Sequence, residues 1–163
     1  MKFIKKSDEF LKNLSTLKFI ITIAFCTFLV SLAFGCLVSI LNAPISDTDV
    51  AISNSSLIEA FIVAVIIAPL IETLIFQYAI IKYLRKLNIL KNRNLIIILI
   101  SAILFGLAHT YNLQYVIHTF FIGILLAYSF VVYEKKESSP FWTVCAIHSL
   151  RNLTIFSLLS IIG

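Results

Sequence analysis

Five long apolar runs, separated by short polar connections, constrain the fold of this 163-residue chain more than any other feature. The runs cover about residues 18–41, 57–84, 95–109, 114–133 and 141–162. A helix needs about 20 apolar residues to cross a bilayer, and only the third run is clearly shorter than that. The composition agrees, because 60% of the residues are hydrophobic and only 13% are charged, too few to cover a soluble domain. The sequence therefore predicts an all-α, polytopic integral membrane bundle with about five transmembrane helices.

The basic residues lie mainly in the polar connections. They are concentrated in residues 1–17, 82–94 and 134–140, whereas the connections at 42–56 and 110–113 contain no Lys or Arg. Cytoplasmic loops are enriched in these residues, so we predict a cytoplasmic N-terminus and a C-terminus on the outer side. The same loops account for the net charge of +5, and we therefore expect no nucleic-acid partner.

The chain divides into two regions on this pattern. Residues 1–17 form a basic cytoplasmic arm, whose apolar residues could make one face of a short interfacial helix. Residues 18–163 form the membrane domain. Within it, Ser56 and Glu59 have the S-x-x-E spacing of a capping box, which predicts that the second long helix begins there.

Few strongly polar side chains remain inside the apolar runs. They are Glu59, Glu72, Gln77, His109, His118, His148, Arg151 and Asn152. Ionisable residues inside a bilayer are costly unless they are paired or face a polar cavity, so each is a functional hypothesis. Glu72 lies near the middle of its run, and Pro69 in the same run predicts a kink that frees backbone carbonyls beside the carboxylate.

Two further motifs supply candidate partners for Glu72. Phe105 and His109 are four residues apart and share one helix face, as do His148 and Asn152. A glycine at position 106 allows another helix to approach closely. A carboxylate, two imidazoles and a carboxamide thus come from three different helices, and together they would make a polar pocket inside an apolar bundle.

Such a pocket has the parts needed to hydrolyse an amide without a covalent intermediate. A carboxylate in apolar surroundings can act as a general base on water, and a neutral imidazole can share that water. An Asn amide and a second imidazole can stabilise an oxyanion. The same Glu/His/His set also matches a three-ligand zinc site with an open position for water. At this point both a metal-dependent and a metal-free mechanism remain open.

Three of the polar residues have ordinary structural explanations. Glu59 is in a first helical turn, where the helix dipole favours a carboxylate, so we interpret it as a cap. A single buried histidine is most often a hydrogen-bonded core residue, so we interpret His118 as structural or interfacial. Arg151 is expected to snorkel outward or to pair with a carboxylate rather than to act directly in a site.

The three motifs together resemble those of the CPBP intramembrane proteases, also called the Abi family. This family includes type II CAAX prenyl endopeptidases and bacteriocin-processing or self-immunity proteins. Its pattern is E-E-x-x-x-R after a proline, then F-x-x-x-H, then H-x-x-x-N or H-x-x-x-D, on successive membrane helices. The corresponding stretches here, in the same order, are Pro69–Gln77, Phe105–His109 and His148–Asn152. The resemblance covers residues 57–163.

The resemblance implies an intramembrane endopeptidase that hydrolyses a peptide bond of a membrane-associated protein or peptide. Glu72 would be the general base, working with His109 on the attacking water. His148 and Asn152 would form the oxyanion hole. Family members are usually classed as metalloproteases, and a bound Zn²⁺ or other divalent metal would take Glu72, His109 and His148 as ligands. The expected location is the lipid bilayer of a bacterial cell membrane.

Two positions depart from the family pattern. Thr73 stands where the second Glu belongs, and Gln77 where the Arg belongs, so one negative and one positive charge are absent together. The chain could therefore be a non-catalytic homologue that acts in bacteriocin immunity or binds a membrane partner. The retained Glu/His/His/Asn set favours the peptidase interpretation. A small transporter or proton relay is less favoured, because the sequence has no inverted repeat.

Overall fold

The computed structural model describes residues 2–41 and 56–162, and within these ranges it contains helices and no strand. The helices are α1 (Lys2–Asn13), α2 (Thr16–Ile40), α3 (Leu57–Lys86), α4 (Asn94–Leu107), α5 (Leu113–Tyr133) and α6 (Pro140–Ile162). The polar connection predicted at 42–56 lies outside the described residues except for Ser56. The prediction of an all-α fold is confirmed for the described part of the chain.

Four of the helices, α2, α3, α5 and α6, are long and apolar enough to cross a membrane. Helix α4 is equally apolar but has 14 residues. It therefore spans about 21 Å, which is less than the ~30 Å of a hydrocarbon core. The polytopic helical bundle is confirmed, and the third predicted span is the one that falls short of a full crossing.

The short helix α4 packs mainly against α5. Two glycines allow the backbones to approach, because a Cβ on Gly106 would lie 2.9 Å from the carbonyl oxygen of Val116. A Cβ on Gly123 would lie 3.1 Å from the Cα of Ala102. The close approach predicted at position 106 is present, and it fixes the end of α4, where His109 follows.

Helix α3 is the irregular one. It begins at the predicted capping box, where the Ser56 hydroxyl accepts from the Glu59 N–H and the Glu59 carboxylate accepts from the Ser56 N–H. Two π-helical stretches, Ile62–Ile67 and Thr73–Ala79, flank the short α-helical segment that ends at Glu72. Such wide turns often mark functional sites, because they leave backbone carbonyls free for other partners.

The three basic segments of the sequence lie at one end of the bundle. Nη2 of Arg85 in α3 contacts the Glu134 carboxylate at 2.8 Å, and Lys82 contacts its other oxygen at 3.2 Å. Nζ of Lys136 donates to the carbonyl of Leu14 at 3.1 Å, which ties the α5–α6 connection to the α1–α2 turn. This end of the bundle is called the basic end below. Its assignment to the cytoplasm stays a prediction.

Candidate active site

The candidate site is built around Glu72, whose carboxylate lies between two imidazoles. Its Oε2 is 3.7 Å from Nε2 of His109 and 3.6 Å from Nε2 of His148 on α6. The His148 side chain is buried, whereas 25% of the Glu72 side chain is exposed. Three of the four residues predicted from the sequence are therefore near enough to contact one water molecule, and the Glu72 carboxylate is only partly covered.

The short length of α4 explains how His109 reaches Glu72. The part of α3 from Glu72 to its end at Lys86 spans about 21 Å, measured from the basic end. Helix α4 starts at that same end and covers a similar distance before it stops at Leu107. A helix long enough to cross the bilayer would have carried His109 past the carboxylate. The two side chains meet because α4 ends at the depth of Glu72.

Phe105 fixes the protonation pattern of His109. Its carbonyl lies 2.7 Å from Nδ1 of His109. A carbonyl oxygen only accepts, so Nδ1 carries the proton, and in neutral His109 the Nε2 lone pair points at Glu72. Two acceptors 3.7 Å apart cannot bond one another, but a water molecule can donate one hydrogen to each. The F-x-x-x-H spacing thus orients His109 so that one water molecule can bind between its Nε2 and the Glu72 carboxylate.

The Phe105 ring also supports the second imidazole. Its centroid is 4.6 Å from the ring of His109 and 5.9 Å from the ring of His148. Nδ1 of His148 is buried and has no hydrogen-bond partner in the described part of the chain. Packing rather than a backbone hydrogen bond therefore holds His148, and either ring nitrogen can carry its proton.

Asn152, the fourth predicted site residue, is bound to the backbone of α3. Its Nδ2 donates to the carbonyl of Ala64 at 2.8 Å. In this stretch the Ala68 N–H donates to Val63, five residues back, and the next donor in that pattern would be residue 69. That residue is Pro69, which has no N–H, so the Ala64 carbonyl is left free for Asn152. The proline, the wide turn and Asn152 are thus one structural unit.

Arg151 has a larger place in the site than the sequence indicates. It lies on α6 beside the site, and its Nη1 donates to Oδ1 of Asn152 at 2.9 Å. Its charge acts electrostatically on Glu72 and His148. Because Arg only donates and the Ala64 carbonyl only accepts, these two partners fix the orientation of the Asn152 amide. In the sequence, the place of Arg151 in the site was indicated only by the expectation that it could pair with a carboxylate.

The two positions that depart from the family pattern lie in the interior. Thr73 and Gln77 are fully buried within the second π-helical stretch. Neither amide atom of Gln77 has a hydrogen-bond partner among the residues that the structure describes. A Glu and an Arg at these positions would form a buried ion pair next to Glu72. The neutral residues leave Arg151 as the cation that acts on the Glu72 carboxylate.

The predicted metal ligands are chemically suitable but do not form a metal site as they are arranged. Glu72, His109 and His148 are a typical zinc set, and the Nδ1 contact of His109 to a carbonyl is a common support for a histidine ligand. Yet the described ranges contain no group of three His, Cys, Asp or Glu residues placed to hold a metal ion. The metal stays a prediction.

The two residues interpreted as structural have structural contacts. Glu59 forms the capping box described above, so its role as a helix cap is confirmed. Nε2 of His118 on α5 lies 2.9 Å from the Ser31 hydroxyl of α2, and its ring stacks on Phe34 at 5.2 Å. His118 therefore joins α5 to α2 and does not contact the Glu72 carboxylate.

Comparison with known proteins identifies a family. The family model for type II CAAX prenyl endopeptidase Rce1-like proteins matches residues 54–154. That range is more than half of the chain, and it contains Glu72, His109, His148 and Asn152. No curated protein and no solved structure matches the sequence. The family resemblance seen in the sequence is thus confirmed, and the chain belongs to the Rce1-like family of type II CAAX prenyl endopeptidases.

Proposed function

We propose that the protein is an intramembrane endopeptidase that hydrolyses a peptide bond of a membrane-associated protein or peptide. The family is a protease family, and the apolar helices make this member an integral membrane protein. The observation that carries the proposal is the position of Oε2 of Glu72, 3.7 Å from His109 and 3.6 Å from His148, inside the helical bundle.

In the proposed reaction, Glu72 and His109 bind and activate the attacking water. The water donates one hydrogen to the Glu72 carboxylate and the other to Nε2 of His109, whose tautomer Phe105 fixes. As the water oxygen attacks the scissile carbonyl, its proton passes to Glu72 and the carbonyl oxygen becomes negative. The proton held by Glu72 then goes to the leaving amine, and the C–N bond breaks.

The developing negative charge would be stabilised from α6. His148 can donate through Nε2 when that nitrogen carries the proton. Asn152 has two N–H groups, of which one is bound to Ala64 and one is left for the oxyanion. The charge of Arg151, held next to Asn152 in a water-poor interior, adds to this stabilisation. Removing one such donor typically lowers kcat by about 10²–10³-fold.

The topology and substrate follow from the same features. We propose that the basic end faces the cytoplasm of a bacterial cell, because Lys and Arg concentrate on that side of a membrane. A peptide anchored in the bilayer is the substrate class, since lateral entry is the direct route to a carboxylate buried at membrane depth. Membership of a CAAX prenyl endopeptidase family suggests that a lipid anchor is one form of this substrate.

The proposal is tested with two histidine variants. His109→Gln removes the imidazole that accepts from the water, and we expect cleavage of a membrane-anchored peptide library in proteoliposomes to fall by about 10²–10⁴-fold. His118→Gln is the comparison variant, because His118 contacts Ser31 rather than Glu72. Its cleavage should stay much closer to wild type than that of His109→Gln, with any loss coming through Ser31, whose hydroxyl also accepts from Arg151 at 3.5 Å. The products are measured by mass spectrometry.

The alternative is a non-catalytic homologue that acts in bacteriocin immunity or binds a membrane partner. The neutral, buried Thr73 and Gln77 favour it, because they lack the ion pair of the family pattern. Under this alternative the wild type cleaves no peptide of the library, and His109→Gln leaves the protective or binding phenotype unchanged. Equal cleavage by wild type and His109→Gln would refute the peptidase mechanism.

A further inference from the structure

A second site lies at the basic end, away from Glu72. An open cavity of about 570 Å³ is lined by α1, the start of α4, the last turns of α5 and the α5–α6 connection. We call it the α1 cavity, and its lining includes Asp8, Lys12, Ile98, Val131, Lys135 and Lys136. Its volume is in the range of small-molecule binding sites, which is about 300–1,000 Å³.

The α1 cavity carries more positive than negative charge. Three lysines, at positions 12, 135 and 136, line it together with one carboxylate, that of Asp8. Asp8 already has two partners, since it forms an ion pair with Lys12 and accepts from the Tyr128 hydroxyl at 2.7 Å. Burial alone would raise the pKa of Asp8. The two bonds outweigh this effect and hold the pKa of Asp8 below its ordinary value. The Asp8 carboxylate is therefore charged, and each of its oxygens already has a partner.

The other two lysines have no acidic partner in the described part of the chain. Nζ of Lys136 donates to a backbone carbonyl, that of Leu14, and lies 4.6 Å from the centroid of the Tyr133 ring. Lys135 is exposed. The neighbouring Glu134 is occupied by Arg85. Lys135 and Lys136 thus line the cavity without a carboxylate partner among the described residues, so their charge can attract an anion.

The floor of the α1 cavity is apolar. Ile98, Val131 and Val132 line it, and each is at least 92% buried. A hydrated inorganic anion gains nothing from such a floor, whereas a phospholipid places its phosphate among lysines and its glycerol and acyl carbons on apolar side chains. Basic pockets between membrane helices are known to bind the headgroups of anionic lipids.

The position of α1 agrees with a lipid ligand. The helix lies at the end of the bundle where the spanning helix α5 stops, at Tyr133. Its Phe10 points away from the protein, with 62% of its surface exposed, as expected for a helix that rests in the headgroup region. We propose that the α1 cavity binds the phosphate headgroup of an anionic phospholipid, which fastens α1 to the membrane surface and to α5.

The test measures lipid binding to the full-length protein by native mass spectrometry from mixed micelles. Phosphatidylglycerol is compared with phosphatidylcholine, and inorganic phosphate is added as a competitor. Since each lysine near a membrane surface contributes about fivefold in affinity, the triple variant Lys12→Gln/Lys135→Gln/Lys136→Gln should bind phosphatidylglycerol about 100-fold more weakly. Wild type should prefer phosphatidylglycerol, and millimolar phosphate should not displace it.

The matched control removes the same charge from the same end of the bundle. Lys86 is the last residue of α3, Lys91 and Arg93 lie in the α3–α4 connection, and none of the three lines the cavity. Changing all three to Gln should leave phosphatidylglycerol binding within about twofold of wild type. The single variant Lys135→Glu alters only an exposed side chain and should fold normally, yet it should weaken binding by about 25-fold.

Three results would overturn the proposal. Equal loss in the cavity and control triple variants would mean that total charge alone attracts lipid. Equal binding of phosphatidylcholine would mean that the cavity does not recognise an anion. Displacement by millimolar inorganic phosphate would assign the site to a free phosphate rather than to a lipid.

Discussion

The unit formed by Pro69, Ala64 and Asn152 allows the structural role of Asn152 to be separated from its catalytic role. Asn152→Ala removes the donor that satisfies the Ala64 carbonyl, in a region where no backbone N–H replaces it. It also removes the acceptor of Nη1 of Arg151. A polar group left without a partner away from water costs about 1–3 kcal/mol, and this pair is half-buried, so the free energy of unfolding should fall by about 1 kcal/mol.

A second substitution should recover much of this loss. Pro69→Ala returns an N–H to position 69, five residues after the free carbonyl of Ala64, where the π-helical pattern places a donor. In the Asn152→Ala background it should restore about 1 kcal/mol, one net hydrogen bond. In the wild type it should add little, because Asn152 already satisfies that carbonyl.

The assay is a double-mutant cycle on protein in mild detergent, with unfolding and peptide cleavage measured on the same samples. We expect a coupling of about 1 kcal/mol between positions 69 and 152, above the ~0.5 kcal/mol within which independent sites add. Cleavage should stay low in the double variant, because the second Asn152 N–H is still missing from the oxyanion. Additive stabilities would refute the structural unit. Full recovery of cleavage would show that Asn152 acts only through the backbone.

Three further predictions follow from packing and charge. Gly106→Ala should lower the free energy of unfolding by about 1–3 kcal/mol, because the added Cβ would overlap α5. Gly35→Ala is the control and should not destabilise the protein, because there is open space around Gly35. Thermal unfolding compares the two variants. Thr73→Glu should destabilise by about 3–5 kcal/mol as an unpaired buried charge, and adding Gln77→Arg should recover most of that loss; no recovery would contradict the pairing. Arg151→Met should lower kcat by at least about 10²-fold with little change in KM, and an unchanged kcat would remove Arg151 from the site.

The sequence predicts the helices well because a bilayer leaves few alternatives. Long apolar runs must satisfy their own backbone groups, so runs and helices nearly coincide. The cap at Ser56 was also predictable, since the S-x-x-E pattern is local and both of its hydrogen bonds lie within four residues. The site residues could be listed for a related reason. Polar side chains are so rare in these runs that Glu72 and its partners stand out without knowledge of the fold.

The sequence could not predict how these residues meet. An ordinary proline kink was expected at Pro69, but the wide turn that frees the Ala64 carbonyl depends on Asn152 from the last helix. The inward direction of Arg151 depends in the same way on Asn152 and Ser31. A helix pattern shows which residues share a face, but not which other helix that face contacts. Nor does it show that α4 ends at the depth of Glu72.

The central claim is that the Glu72 carboxylate activates water, and Glu72→Gln tests it most directly. This variant keeps the size and shape of the side chain but removes its negative charge, and with it the ability to take a proton. The matched control is Glu59→Gln, a carboxylate on the same helix whose role is the cap. With a membrane-anchored peptide in proteoliposomes, the account predicts that Glu72→Gln lowers kcat by about 10²–10⁴-fold while Glu59→Gln cleaves like wild type. Cleavage by Glu72→Gln at the wild-type rate would contradict the account.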